Sequence, residues 1–163
     1  MKIKLFISLF VLTGFLKNSK AAHLQRNVDR VAFYSILKGQ KVDDIDKEIL
    51  VIEASSIDEK EAYKGALLMK KAGLVRKPKE KLRLFKQGRI KLETELRNNG
   101  SNTEYHFLRL IIQEHAPEAI KYHAQLEEDA DYIKKNYKNL LPAVQQVVID
   151  YSKTSKILHS SDF

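Results

Sequence analysis

Three polar side chains within one apolar segment, His106, Arg109 and Gln113, are the residues of this sequence best suited to hold a ligand. At about 100° per residue on a helix, Tyr105, Phe107, Leu108, Leu110, Ile111 and Ile112 cover more than half the circumference and leave these three on a narrow polar strip. A guanidinium offers paired N–H groups to a carboxylate, and an imidazole and an amide beside it add hydrogen bonds. Such a strip can bind a peptide or a small anion on a helical surface. The alternative is a structural anchor, with Arg109 paired to a carboxylate such as Glu93 on a neighbouring helix, which is the more frequent role for an arginine so placed.

A second candidate is electrostatic. Between Lys70 and Lys91 lie ten basic residues, Lys70, Lys71, Arg76, Lys77, Lys79, Lys81, Arg83, Lys86, Arg89 and Lys91, against the single acid Glu80. A local excess of this size can bind phosphates by releasing counterions, or sit on anionic lipid headgroups. The alternative is a solvated helix face whose charges pair with acids elsewhere in the chain.

Other chemistries find no residues. The chain has no cysteine, which excludes thiol nucleophiles and cysteine metal sites. His106, His115 and His123 lie close in sequence, but none of their spacings is that of a helical ligand pair, so no metal or other cofactor is expected. His123 falls on an apolar stripe as a core residue, and His115 sits at a helix C-terminus. The acidic run Glu127, Glu128, Asp129 and Asp131 lacks the glycine and alternating oxygen ligands of a calcium loop and reads as a solvated helix face. There is no nucleophile elbow, phosphate-binding glycine loop or dinucleotide fingerprint, so catalysis is not expected.

The elements that must position these residues read as helical throughout. Helical spacing recurs and strict alternation does not, which predicts an all-α fold of about seven antiparallel amphipathic helices in a hairpin stack or bundle. Asn27 is placed to cap the first helix, ended by Gly39, and Asp43 or Asp44 the second, with Ile45, Ile49 and Ile52 inward. Ser56-Ile57-Asp58-Glu59 fits a capping box for the third, which ends at Gly73 and buries Ala62, Gly65, Ala66 and Met69, small enough for close helix approach. Pro78 opens the fourth, with Leu82, Phe85, Leu92 and Leu96 inward and Gly88 on the flank, and Asn98-Asn99-Gly100 closes it. Asn102 caps the fifth, which holds the polar strip and, being apolar nearly all round, belongs at the centre. After Ala116-Pro117 a sixth stripe runs from Ala119 through Tyr122, Leu126, Ala130 and Ile133 to Tyr137. A seventh follows Pro142 with Val144, Val147, Val148, Tyr151 and Leu158, and residues 158–163 are expected to fray.

Tyr63, Gly65, Ala66 and Leu68, then Phe85 and Gly88, then Gly100-Ser101-Asn102 leading to Tyr105, Leu108 and Ile112, resemble a tetratricopeptide repeat running into the first helix of another. The resemblance spans about 50 residues, with helices longer than that roughly 34-residue repeat and without the proline of its inter-repeat turn. It implies a helical-hairpin surface for a protein or peptide partner, here centred on Arg109, His106 and Gln113. The segments AYKGALLMKKAGL, PKEKLRLFKQG and FLRLIIQEHAP are also similar to small exported helical proteins of unknown function from Bacteroidota, which brings no activity with it.

The start of the chain bears on compartment. Lys2 and Lys4 precede an apolar run from Leu5 to Leu16, and Ser19-Lys20-Ala21 offers a small-x-small cleavage site, the pattern of an export signal over residues 1–21. The run is shorter than the roughly 20 residues a bilayer requires. Residues 22–163 then form a single helical domain, periplasmic or secreted, and loss of Lys2, Lys4, Lys17 and Lys20 lowers the formal charge from +8 to +4. Expected function is therefore non-enzymatic binding of a protein or peptide partner in the cell envelope. Anionic lipid or an envelope polymer at the basic segment is the alternative, and nucleic acid is not expected.

Overall fold

The structure, a computed structural model, describes residues 28–163. The export signal and Asn27 lie outside the described residues. Within them the chain is all-α, with seven helices and three short 3₁₀ turns: α1 Arg30–Lys38, α2 Val42–Ala54, α3 Lys60–Leu74, α4 Pro78–Asn98, α5 Thr103–His115, α6 Leu126–Asn136 and α7 Pro142–Ser152.

The helix ends follow local chemistry. Asp29 caps α1 by accepting from the Ala32 amide at 3.1 Å. Asn102 caps α5 through Oδ1, which accepts from the amides of Glu104 and Tyr105 at 2.9 and 3.3 Å. Pro78 and Pro142 occupy first turns, where a missing N–H leaves no bond unmade. Three caps differ from expectation, the first being that of α1, which is Asp29 and not Asn27. Helix α2 starts at Val42, one residue ahead of Asp43, so both aspartates lie in its first turn, where the helix dipole favours them. The capping box at Ser56 does not form, because Glu59 takes the N-cap position of α3 and turns its carboxylate to Arg30 at 2.9 Å.

Helices α3 and α4 form an antiparallel hairpin whose backbones nearly touch. A Cβ at Gly88 would lie 2.5 Å from the Gly65 carbonyl oxygen, and one at Gly65 would lie 2.8 Å from the Gly88 oxygen. The small inner face of α3 thus does what its composition predicts. On α4, Phe85, Leu92 and Leu96 are buried as expected, but Leu82 is 58% exposed and Leu84 is buried in its place. Leu82 lies about 60° to one side of the Phe85–Leu92–Leu96 stripe and Leu84 about 100° to the other, on the side of Gly88, and α3 packs on that second side.

Helix α5 runs through the middle, with every residue from Thr103 to Leu110 buried. Its central position follows from its apolar girth. Phe33 and Tyr63 stack at 4.1 Å between centroids, and Phe107 meets Tyr34 and Tyr151 at 5.5 Å each. The sixth stripe does not form one long helix. Pro117 and a left-handed Lys121 (φ 51°) bracket a 3₁₀ turn at Glu118–Ile120, leave Ala119 exposed and delay α6 to Leu126. Tyr122, in this break, packs edge-on to Phe85 at 5.6 Å. At the other end, the tail expected to fray makes specific contacts, although His159, Ser160 and Ser161 stay exposed. Leu158 is fully buried, Asp162 accepts from the His159 amide at 2.7 Å, and the Phe163 ring lies 4.7 Å from that of Tyr137.

Candidate functional site

The strip on α5 faces α6 and α4, and its three polar residues meet groups of the chain itself. Arg109 grips Asp129 with both prongs, Nε to Oδ2 and Nη2 to Oδ1 at 2.7 Å each, and its Nη1 reaches Glu93 Oε2 at 3.2 Å. His106 Nδ1 lies 2.7 Å from the same Asp129 Oδ1, and Nε2 lies 2.9 Å from the Gly100 carbonyl. Its ring stacks on Tyr132 at 4.0 Å. Gln113 donates from Nε2 to Gln125 Oε1 at 2.9 Å, while its own Oε1 has no partner among the described residues. Tyr122 completes the set by donating to Glu93 Oε1 at 2.6 Å.

Relative exposure is 6% for His106, 8% for Arg109 and 0% for Gln113. Burial opposes the charge of Arg109, and the hydrogen bonds and charge of Asp129 outweigh it, so the guanidinium titrates above its ordinary range. This is the anchor geometry, in which a buried cation stands only because its counter-ions are buried with it. The carboxylate that does most is Asp129. Expected on a solvated face with Glu127, Glu128 and Asp131, Asp129 is instead fully buried, while Glu127, Glu128 and Asp131 are exposed. Its spacing carried the signal: three residues after Leu126 and four before Ile133, it falls within about 60° of the α6 apolar stripe.

A second buried carboxylate, Glu104 at the start of α5, was not singled out from the sequence. Tyr34 donates to it at 3.0 Å, Tyr63 donates to the same oxygen, and Arg30 Nε approaches at 3.4 Å. Burial pushes its carboxyl above the usual range against the pull of the tyrosines and Arg30. At the far end of α5, Glu114 accepts from Tyr151 at 2.6 Å and Ser155 at 2.8 Å, tying down the C-terminal segment. Of the other histidines, His115 Nδ1 meets the Ile111 carbonyl at 2.9 Å and His123 Nδ1 the Gln113 carbonyl at 2.8 Å. No group of three or more His, Cys, Asp or Glu among the described residues is arranged to hold a metal ion.

The basic segment is placed differently. It forms the end of α3, the turn at residues 75–77 and the outer face of α4. Lys71 pairs with Asp46 and Lys91 with Glu61. The other eight, Lys70, Arg76, Lys77, Lys79, Lys81, Arg83, Lys86 and Arg89, have no carboxylate within 4.0 Å among the described residues. Arg83 donates to the neutral Gln87 at 3.0 Å, and Arg89 lies over the Tyr122 ring at 4.7 Å. Lys70 is half-buried, and desolvation lowers its pKa. All the other unpaired cations are exposed.

Two shallow polar depressions lie on the surface. One is bordered by Glu59, Asn102, Thr103, Glu104 and Leu140, and the other by Arg89, Ile90, Glu93, Arg97 and Gln125 at the edge of the basic face. Glu59 and Glu104, which share the first, both turn to Arg30.

Fold and surface together define an all-α protein with a polar-anchored central helix and one unneutralised cationic face. No family model, curated protein or solved structure matches the chain.

Proposed function

We propose that this protein is a non-catalytic, peripheral binder of an anionic partner, which it meets through the turn after α3 and the outer face of α4. The supporting observation is the unequal pairing of charge. Eight of ten cations in the segment have no acid partner, although 21 acids are available in the chain. A face kept only for solubility needs no such segregation, since interspersed charges serve equally well and repel less. An export signal at residues 1–21 would deliver the protein to an envelope where lipid headgroups and acidic polymers are the prevalent anions.

A peptide-binding role for Arg109, His106 and Gln113 lacks comparable support, because a partner would have to displace Asp129, Glu93 and Gln125 from groups that are already desolvated. Titration with soluble polyphosphate tests the cationic face. Affinity should fall steeply with salt, and Arg83→Glu with Lys86→Glu should weaken binding and flatten the salt slope by about two ions. Unchanged affinity in that variant would refute the assignment.

A further inference from the structure

The cationic face of α4 carries two large apolar side chains that the core does not use. Ile90 is 66% exposed and Leu82 is 58% exposed. With Lys86 between them they form one ridge of residues four apart, spanning about 12 Å along the helix. Lys79 and Arg83 flank the ridge and are exposed as well. Helix α4 packs chiefly on α3, and Leu82, Lys86 and Ile90 all stay exposed among the described residues.

We infer that the partner is an anionic lipid bilayer, on which α4 lies with Leu82 and Ile90 pressed into the boundary between headgroups and acyl chains. This rests on the anionic-partner reading above and narrows it. Charge alone would serve a soluble polyanion equally well, but a polyanion gives Leu82 and Ile90 nothing to bury against. A bilayer offers both phosphates and an apolar layer about 5–10 Å beneath them. Lysine and arginine suit such a ridge, because their alkyl stems lie along apolar surface while their charged ends stay at phosphate level. No helix among the described residues is long and apolar enough to cross a membrane, and two aliphatic side chains give shallow insertion. Binding is therefore reversible and depends on both charge and insertion.

The test uses the exported protein, with its N-terminus fixed by mass spectrometry, and sedimentation with vesicles of phosphatidylcholine with or without phosphatidylglycerol. Binding should require phosphatidylglycerol and fall with salt. Leu82→Ser with Ile90→Ser should weaken vesicle binding about ten-fold or more while leaving polyphosphate affinity within about two-fold. Both sites are exposed, so Tm should fall by no more than about 1–3 °C, the cost of serine's lower helix propensity. Equal vesicle binding by this variant and the natural protein would overturn the insertion. Polyphosphate binding without vesicle binding would overturn the lipid assignment and leave the anionic-partner reading standing. Failure to bind either anion would overturn both.

Discussion

Gly88→Ala is a decisive perturbation of the fold that presents the cationic face. A Cβ at Gly88 would lie 2.5 Å from the Gly65 oxygen, 2.7 Å from Met69 Cγ and 2.9 Å from the Met69 amide nitrogen. Two of these are backbone atoms of α3, which no rotamer change can move, so α4 must retreat by about 1 Å to restore an ordinary C···O contact. Two opposing effects then set the sign. Alanine gains up to about 1 kcal/mol over glycine in a helix interior, while overpacking costs about 1–3 kcal/mol and more where backbone must shift. The net is a loss of about 1–2 kcal/mol, or roughly 3–8 °C in Tm for a domain of this size. Gly73 supplies the control, since a Cβ there meets nothing within 4 Å. Gly73→Ala should therefore be neutral or raise Tm by a few degrees, about what its propensity gain allows so near the helix end. Adding Gly65→Ala to Gly88→Ala should cost less than the sum of the single changes, because one separation relieves both contacts. Thermal melting followed by circular dichroism reads all four variants. A rise in Tm for Gly88→Ala comparable to that for Gly73→Ala would refute the close approach of α3 and α4.

Three further outcomes are expected. Arg109→Ala leaves the Asp129 carboxylate buried without its main counter-ion and should cost about 3–5 kcal/mol in urea denaturation. A loss under about 1 kcal/mol would show that the pair is not the anchor. The folded-state pKa of Glu104 is raised, chiefly by burial, so the folded chain binds this proton more tightly than the unfolded one. Its stabilising contribution is complete below the ordinary carboxyl pKa of 4.5 and is lost as pH rises through the folded value. Melting curves across this range should show the natural protein losing stability relative to Glu104→Gln as pH rises, and a constant difference would refute the shift. Mass spectrometry of the protein recovered from its native source should find a mature chain beginning near Ala22, whereas an intact Met1 would refute the proposed export signal.

The legible parts of the fold were those set by short-range chemistry. Helix α4 begins at Pro78 and ends at Asn98 because proline and the Asn-Asn-Gly run act within one turn, and Asn102 caps α5 for the same reason. The centrality of α5 was legible too, since a helix apolar around most of its circumference has few other places to go. What escaped depended on neighbours. Periodicity favours Leu82 over Leu84, and the close approach of α3 on the Gly88 side reverses the order. The Ser56 capping box is absent because α3 starts at Lys60, which makes Glu59 the N-cap, and its carboxylate pairs with Arg30, remote in sequence. The long sixth stripe was broken at Lys121, where the turn inserts Tyr122 against Phe85 and Glu93.

The same distinction governs the candidate sites and bears on which can act. The strip alone left Arg109 open as a ligand-binding residue or an anchor, and its principal counter-ion stood among four acids of which only Asp129 faces inward. Once that pairing is seen, the strip becomes the internal polar tie between α5, α6 and α4, and its specificity is spent on the chain itself. Conversely, the basic run was legible as composition, and what composition could not show was whether it is neutralised. With only Lys71 and Lys91 paired, the charge on the outer face of α4 is left to solvent together with Leu82 and Ile90. Because the Gly65–Gly88 contact fixes how α4 lies on α3, it also fixes which of its residues point outward. A retreat of about 1 Å keeps the same residues outward, so Gly88→Ala should lower Tm while leaving polyphosphate affinity within about two-fold, and a larger loss of affinity would show that the cationic face depends on how α4 is seated.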